Sequence, residues 1–156
     1  MNEGEVYFAL FADEFDPDEV TKIIGVEPTE TRRKGNPIPR YTFWEYSTGK
    51  IEDEVVDVYE MSSSLIATLS PHADKIIQAK ERFGLQAVLE VVLTVTSDDS
   101  KSTPAIGFES EVIAFLHKVG ATIDIDTYRG ESITLIRPPS VNRQKGARTI
   151  LTRFIA

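Results

Sequence analysis

One short stretch near the N-terminus carries a complete set of helix start and stop signals, and it constrains the fold more than any other part of the sequence. Asp16 suits the N-cap, the proline after it suits the first helical position, and Glu19 stands where a capping box needs it. Gly25 supplies the left-handed residue at which a helix ends. The sequence therefore predicts a short helix from Pro17 to Ile24.

The predicted strands are of two kinds. Residues 5–12 and 87–96 are apolar at nearly every position, which is typical of strands buried on both faces. Residues 41–47 form a further strand, which follows an extended segment at 26–31 and a turn-rich loop. Residues 122–128 alternate isoleucine with aspartate, and this alternation indicates a strand with one buried face.

Three other segments space their apolar residues as amphipathic helices do. They span residues 54–69, 71–83 and 109–119, and a glycine ends each of the last two. A final strand is predicted at residues 132–136, after a turn that contains Gly130.

The order of these elements shows a weak internal duplication. A strand, a glycine-terminated helix, an extended segment and a further strand precede the helical pair, and the same order follows it. Two β-α-β-β units that share one sheet satisfy this order. The predicted fold class is therefore α+β: a two-layer sandwich with one mixed or antiparallel sheet, helices packed on one face and an inserted helical pair.

Charge is distributed unevenly along the chain, whose formal net charge is −8. Residues 137–156 hold five of the 17 basic residues and no acid. Residues 1–136 hold the other 12 and all 25 acids, so they sum to 12 − 25 = −13. We expect a single domain over 1–136 and a basic C-terminal extension over 137–156. The acidic body argues against nucleic-acid binding and favours a basic protein partner.

The composition also bears on the compartment. The sequence contains no cysteine, which excludes a disulfide framework, a thiolate metal site and a cysteine nucleophile. The first residues form neither a basic nor an apolar leader, and the longest apolar run is interrupted by Gln86 and Glu90. We therefore expect a cytoplasmic protein without a membrane span.

Four short motifs follow one another along the chain. They are Asp16-Pro-x-x-Val-Thr-x-x-x-Gly25-x-x-Pro28, Lys34-Gly35, Trp44 and Gly120-Ala-x-Ile-Asp-x-Asp-x-Tyr128. Taken in this order, they resemble a bacterial family labelled domain of unknown function 4279. The resemblance covers roughly residues 5–128 and implies a single-domain intracellular bacterial protein. It brings no established activity and no catalytic residues.

The loop before the strand at 41–47 carries the one basic cluster of the acidic body. Arg32, Arg33 and Lys34 could bind a small anion, with Trp44 as a contact nearby. The alternative is a solvated turn whose charges offset neighbouring acids, with Trp44 in the core.

A second candidate site lies on the strand at 122–128. Asp124 and Asp126 project from the same side, about 7 Å apart, and Tyr128 follows on that side. Paired carboxylates can bind a divalent ion or perform acid–base chemistry. The polar side of a half-buried strand explains them equally well.

No catalytic constellation emerges from the sequence. His72 and His117 are the only histidines, and neither belongs to a zinc or triad motif. We expect no catalytic residues, no metal and no cofactor.

The leading hypothesis is a non-catalytic protein-binding domain, of immunity type or regulatory, that captures a basic partner. The alternatives are a protein that binds small anions through Arg32–Lys34 and Trp44, and a metal-dependent hydrolase that uses Asp124 and Asp126. The oligomeric state stays open.

Overall fold

The computed structural model describes residues 1–130, which form a five-stranded sheet with a layer of helices on one face. The predicted strand at 132–136 and the basic extension at 137–156 lie outside the described residues. A 3-10 turn, Ser70–His72, joins the second and third helices. The elements are β1 (Asn2–Ala12), α1 (Pro17–Ile24), β2 (Glu30–Arg32), β3 (Thr42–Asp53), α2 (Val58–Leu69), α3 (Ala73–Phe83), β4 (Gln86–Thr96), α4 (Ser110–Val119) and β5 (Thr122–Gly130).

The sheet has the strand order β2-β3-β1-β4-β5. β1 pairs antiparallel with β3 and β4, β2 pairs antiparallel with β3, and β4 pairs parallel with β5. The sheet is therefore mixed, and β1 lies at its centre. The predicted α+β fold class is confirmed.

The main core lies between the sheet and the helices. Val6, Phe8 and Leu10 alternate along β1 and pack against apolar side chains from all four helices. The ring of Phe8 meets that of Phe115 of α4 edge to face, with centroids 5.7 Å apart. Each such large side chain contributes about 2 kcal/mol when it is removed from water. This packing fixes the helices to one face.

The two halves of the chain share the order of their elements but differ in strand pairing. In the first half, β3 separates β1 from β2. In the second half, β5 lies directly beside β4, and α4 forms the crossover that a parallel pair requires. Residues 132–136, the last strand of the proposed duplication, lie outside the described part of the chain.

Both predicted ends of α1 are confirmed, but over residues 1–130 Glu19 pairs with Lys22 and does not close the predicted capping box. Asp16 is the N-cap and its carboxylate accepts a hydrogen bond from the backbone N–H of Asp18 at 3.0 Å. Gly25 ends the helix in the left-handed region, at φ 77°. Glu19 makes an ion pair with Lys22 at 2.7 Å. The geometry favours this pairing, because residues three apart share a helix face.

The predicted start of the second helix is wrong by four residues. α2 begins at Val58, because Asp57 is its N-cap and accepts a hydrogen bond from the N–H of Glu60 at 3.3 Å. The chain just before it is extended, since Val56 and Val58 both bond to the backbone of Ala105. β3 is also longer than predicted: it continues beyond residue 47 and pairs with β1 as far as Asp53.

Candidate functional site

One face of the sheet carries helices, and the opposite face carries most of the charged strand residues. The strand register defines this second face, which we call the acidic face. Tyr7 lies opposite Ser47 on one side and opposite Glu90 on the other, and Glu90 lies opposite Asp124. Among the strand residues up to Gly130, the face holds two basic residues, Arg32 and Lys50, and eight acids, so these residues have a formal charge of 2 − 8 = −6. The acids are Glu3, Glu5, Glu30, Glu45, Glu52, Glu90, Asp124 and Asp126.

Several of these acids are buried although the helices lie on the other side. The exposed fraction is 2% for Glu45, 4% for Glu90 and 7% for both Glu5 and Asp124. A carboxylate withdrawn from water costs several kcal/mol unless donors or cations meet it. Arg32 meets Glu45 at 2.7 Å, and the Ser47 hydroxyl donates to Glu5 at 3.1 Å, so part of this cost is offset within the face.

An apolar cluster lies beside the acids on the same face. Among the described residues, no helix contributes to it. The rings of Phe11 and Phe43 stack with centroids 5.7 Å apart. The acidic face therefore contains buried apolar side chains as well as buried charges. The cluster consists of Tyr7, Ala9, Phe11, Phe43 and Val88, with Tyr41 and Val92 at its border.

Arg32 lies on β2, not in the loop to which the sequence assigned it. Its guanidinium donates to the Glu45 carboxylate at 2.7 Å and lies 3.7 Å from that of Glu30. The guanidinium also stacks 4.7 Å from the centre of the Phe43 ring. Arg32 therefore balances acids at one end of the acidic face.

On the outer strand, β5, two buried polar atoms lack hydrogen bonds within the described part of the chain. One carboxylate oxygen of Asp124 accepts from the N–H of Ile125 at 3.1 Å. The other oxygen, Oδ2, is buried and has no hydrogen-bond partner in residues 1–130, and the same holds for the hydroxyl of Thr122. β5 is the outermost strand of the sheet as far as residue 130. This arrangement fits a ligand that supplies hydrogen-bond donors.

The structure brings together the predicted residues of β5. Asp124, Asp126 and Tyr128 face the same side, and their partners in the register are Glu90, Val92 and Thr94 on β4, so all three lie on the acidic face. Burial raises the pKa of the Tyr128 hydroxyl, and the negative charges of Asp126 and Glu90 raise it further. These side chains therefore share one negative field.

The same strand offers little to a metal ion. Over residues 1–130, no three or more histidine, aspartate or glutamate side chains converge as metal ligands would. Asp124 and Asp126 thus gain no third ligand from the described part of the chain.

The remaining residues of the basic cluster lie at a different place. Arg33 and Lys34 line a cleft of about 420 Å³ at the N-terminus of α1, together with Asp16 and Thr42. Arg33 pairs with Asp16 at 2.9 Å, and Lys34 pairs with Asp13 at 2.6 Å. The hydrogen bond to Asp13 raises the pKa of Lys34. Both cations are therefore already engaged by acids.

Trp44 belongs to the main core. Its side chain is fully buried, and its indole N–H donates to the hydroxyl of Thr21 in α1 at 3.0 Å. It lies on the helix-covered face, away from Arg32. The structure therefore unites Arg33 with Lys34 but separates both Arg32 and Trp44 from them.

Sequence reasoning missed the buried acids Glu5, Glu45 and Glu90. A usable signal existed for Glu90, because it interrupts an apolar strand and shares its side with Val88 and Val92. Its burial depends on neighbours far away in the chain, and no local pattern predicts it.

These observations define the class: an α+β domain with helices on one sheet face and an acidic, partly aromatic surface on the other. The sequence model of the family described as Domain of unknown function (DUF4279) matches residues 2–130, so the chain belongs to that family. This confirms the resemblance seen in the motifs. Comparison with curated proteins and with solved structures gave no match. None of the helices in residues 1–130 has the length and apolar character that crossing a bilayer requires.

Proposed function

We propose that this protein is a non-catalytic binding domain whose acidic face captures a basic segment of a protein partner. The observation that carries the proposal is a pair of buried oxygens, Asp124 Oδ2 and Thr122 Oγ1, that have no hydrogen-bond partner among residues 1–130. A carboxylate oxygen in this position is stabilised by a ligand that brings donors and positive charge.

Arginine is the side chain that fits this end of the face best. Its planar group carries five donors and is less strongly hydrated than the ammonium of lysine, so its burial costs less. One guanidinium can donate to Asp124 Oδ2 and to an oxygen of Glu90, since the two residues are direct neighbours across β4 and β5. Apolar side chains of the same segment would pack on Val88 and Tyr7.

The biological setting that we propose is an immunity-type or regulatory module of the bacterial cytoplasm. A module of this kind needs fast and selective capture of one partner. A face with a formal charge of −6 supplies this, because charge complementarity raises association rates and rejects partners of the wrong sign.

The experiment is a calorimetric titration of the full chain with a short peptide that alternates arginine and valine. We expect binding that weakens roughly thirtyfold in the Glu90→Gln/Asp124→Asn variant, since loss of buried charge pairs costs about 2 kcal/mol or more. The matched control is Glu81→Gln/Glu111→Gln, which removes two exposed acids from the helix layer. Equal affinity for all three proteins, or equal binding of a glutamate–valine peptide, would contradict the proposal.

A second function is favoured by the cleft at Arg33 and Lys34, which has the size of a small-ligand site. A screen of phosphates, nucleotides and carboxylates should then raise the melting temperature of the chain, and Lys34→Met should abolish the rise. A screen in which no compound raises the melting temperature would remove this alternative.

A metal-dependent hydrolase that uses Asp124 and Asp126 is the other alternative. It predicts a melting temperature that responds to EDTA and divalent ions, and an unchanged value would remove it.

A further inference from the structure

We propose that the basic segment of this same chain, residues 137–156, occupies the acidic face as an intramolecular ligand. The inference rests on the proposed function, because it assigns an occupant to the same surface. It adds a regulatory step, since a partner must displace the chain's own segment before it binds.

The position of the segment supports this assignment. β5 ends at Gly130 on the outer edge of the described sheet, and β5 bears Asp124 and Thr122. Six residues separate Gly130 from Arg137, and six extended residues span about 20 Å. β5 ends beside Thr96, at the same end of the sheet as Glu3, whereas β2 lies at the opposite end, beside Phe43. Asp124 lies six residues back along β5, which is also about 20 Å. The first basic residue of the segment can therefore reach Asp124, and the residues that follow it can continue across the face.

The charges of the two partners are complementary. The segment holds Arg137, Arg143, Lys145, Arg148 and Arg153 and no acid, which gives +5, against −6 on the face. Covalent connection also raises the effective concentration of the segment to the millimolar range, so that modest affinity suffices for occupancy.

The apolar residues of the segment complete the match. Val141, Ile150 and Phe154 lie between or beside its basic residues. The acidic face buries its own apolar cluster around Phe11 and Phe43, and none of the four described helices covers it. A segment that carries both basic and apolar side chains fits a face with both kinds of contact.

A spin-label experiment on the full chain tests the inference. The sequence has no cysteine, so Ala147→Cys creates a single thiol for a nitroxide label inside the segment. The methyl groups of Val88 and Val92 report on the acidic face, and that of Ile113, exposed on α4, reports on the helix layer. We expect loss of peak intensity at Val88 and Val92 and little loss at Ile113. A label at Lys75→Cys on α3 should give the opposite pattern.

A variant with fewer basic residues tests whether charge attraction holds the segment on the acidic face. Replacing Arg143, Lys145 and Arg148 together by glutamine should restore the intensities of Val88 and Val92. It should also tighten binding of the arginine–valine peptide on the order of tenfold, since the competitor is removed.

Two results separate this inference from the proposed function. If the Ala147→Cys label leaves Val88 and Val92 unaffected but the peptide still binds, the segment is not the occupant and the proposed function stands. If the label has no effect and the peptide does not bind, both fail.

Discussion

The two faces of the sheet are made of the same strands, but their side chains make different kinds of contact. On the helix-covered face, apolar side chains such as Phe8 and Trp44 pack against α1 and α4 and need nothing beyond the domain. On the acidic face, Glu90 and Asp124 are buried beside each other, and Arg32 and Lys50 are the only basic strand residues that the described register places there. One face therefore supplies most of the apolar packing of the fold, whereas the other holds the buried acids at which we propose that a ligand binds.

The largest expected effect lies on the helix-covered face. Trp44→Ala removes a fully buried indole and its hydrogen bond to Thr21, and we expect a loss of about 4 kcal/mol in the free energy of unfolding. Trp44→Phe, which keeps most of the volume, should cost about 1–2 kcal/mol. Urea denaturation measures both. A loss below about 1 kcal/mol for Trp44→Ala would mean that this face is not the main source of stability.

The next effect lies on the acidic face. Arg32→Met removes the cation that pairs with the buried Glu45, and we expect a loss of about 3 kcal/mol. The double variant Arg32→Met/Glu45→Met should recover most of it, because the buried charge is then gone as well. Lys34→Met, in the exposed cleft, should change stability far less. A double variant no more stable than the single one would show that Arg32 acts through packing on Phe43 alone.

A smaller effect concerns alkaline pH. The folded-state pKa of Tyr128 is raised by burial and then by Asp126 and Glu90, so its unfolded state releases the proton first. Its contribution to stability is fully present below the unfolded pKa of about 10 and is lost as pH rises through the folded pKa. Denaturation between pH 9 and 11 should show a shallower decline for Tyr128→Phe than for the natural chain. Equal slopes for the two proteins would show that burial and the charges of Asp126 and Glu90 do not raise the pKa of Tyr128.

The smallest effect lies outside both faces, at the start of α1. The hydrogen bond from Arg33 lowers the folded-state pKa of Asp16, and the one from the Asp18 N–H lowers it further. This contribution is present above the unfolded pKa and is lost as pH falls through the folded pKa. Asp16→Asn keeps the cap but loses the charge, so its deficit in stability at pH 7 should close below about pH 3.

The control for this prediction is Arg33→Gln, which breaks the same pair from the other side. The double variant should be no less stable than either single one if the pair accounts for the effect. Additive losses would assign Asp16 and Arg33 to separate interactions.

Local chemistry explains what the sequence could predict. The ends of α1 follow from Asp16 and Gly25, because capping acts within a few residues. The start of α2 was misplaced because it depends on Ala105, almost fifty positions away. Likewise, the alternation on β5 placed Asp124 and Asp126 on one side correctly, but their position beside Glu90 arises from the β4–β5 register. Long-range pairing thus created the acidic face.

The most direct test of the account is to record methyl chemical shifts of the full chain while the arginine–valine peptide is added. Val88 and Val92 alternate along β4 with Leu89 and Val91, so neighbouring residues report on opposite faces. We expect the largest shifts at Val88 and Val92, with a strong dependence on salt. Saturable shifts confined to the helix layer or to the cleft at Thr42, with Val88 and Val92 unchanged, would contradict it.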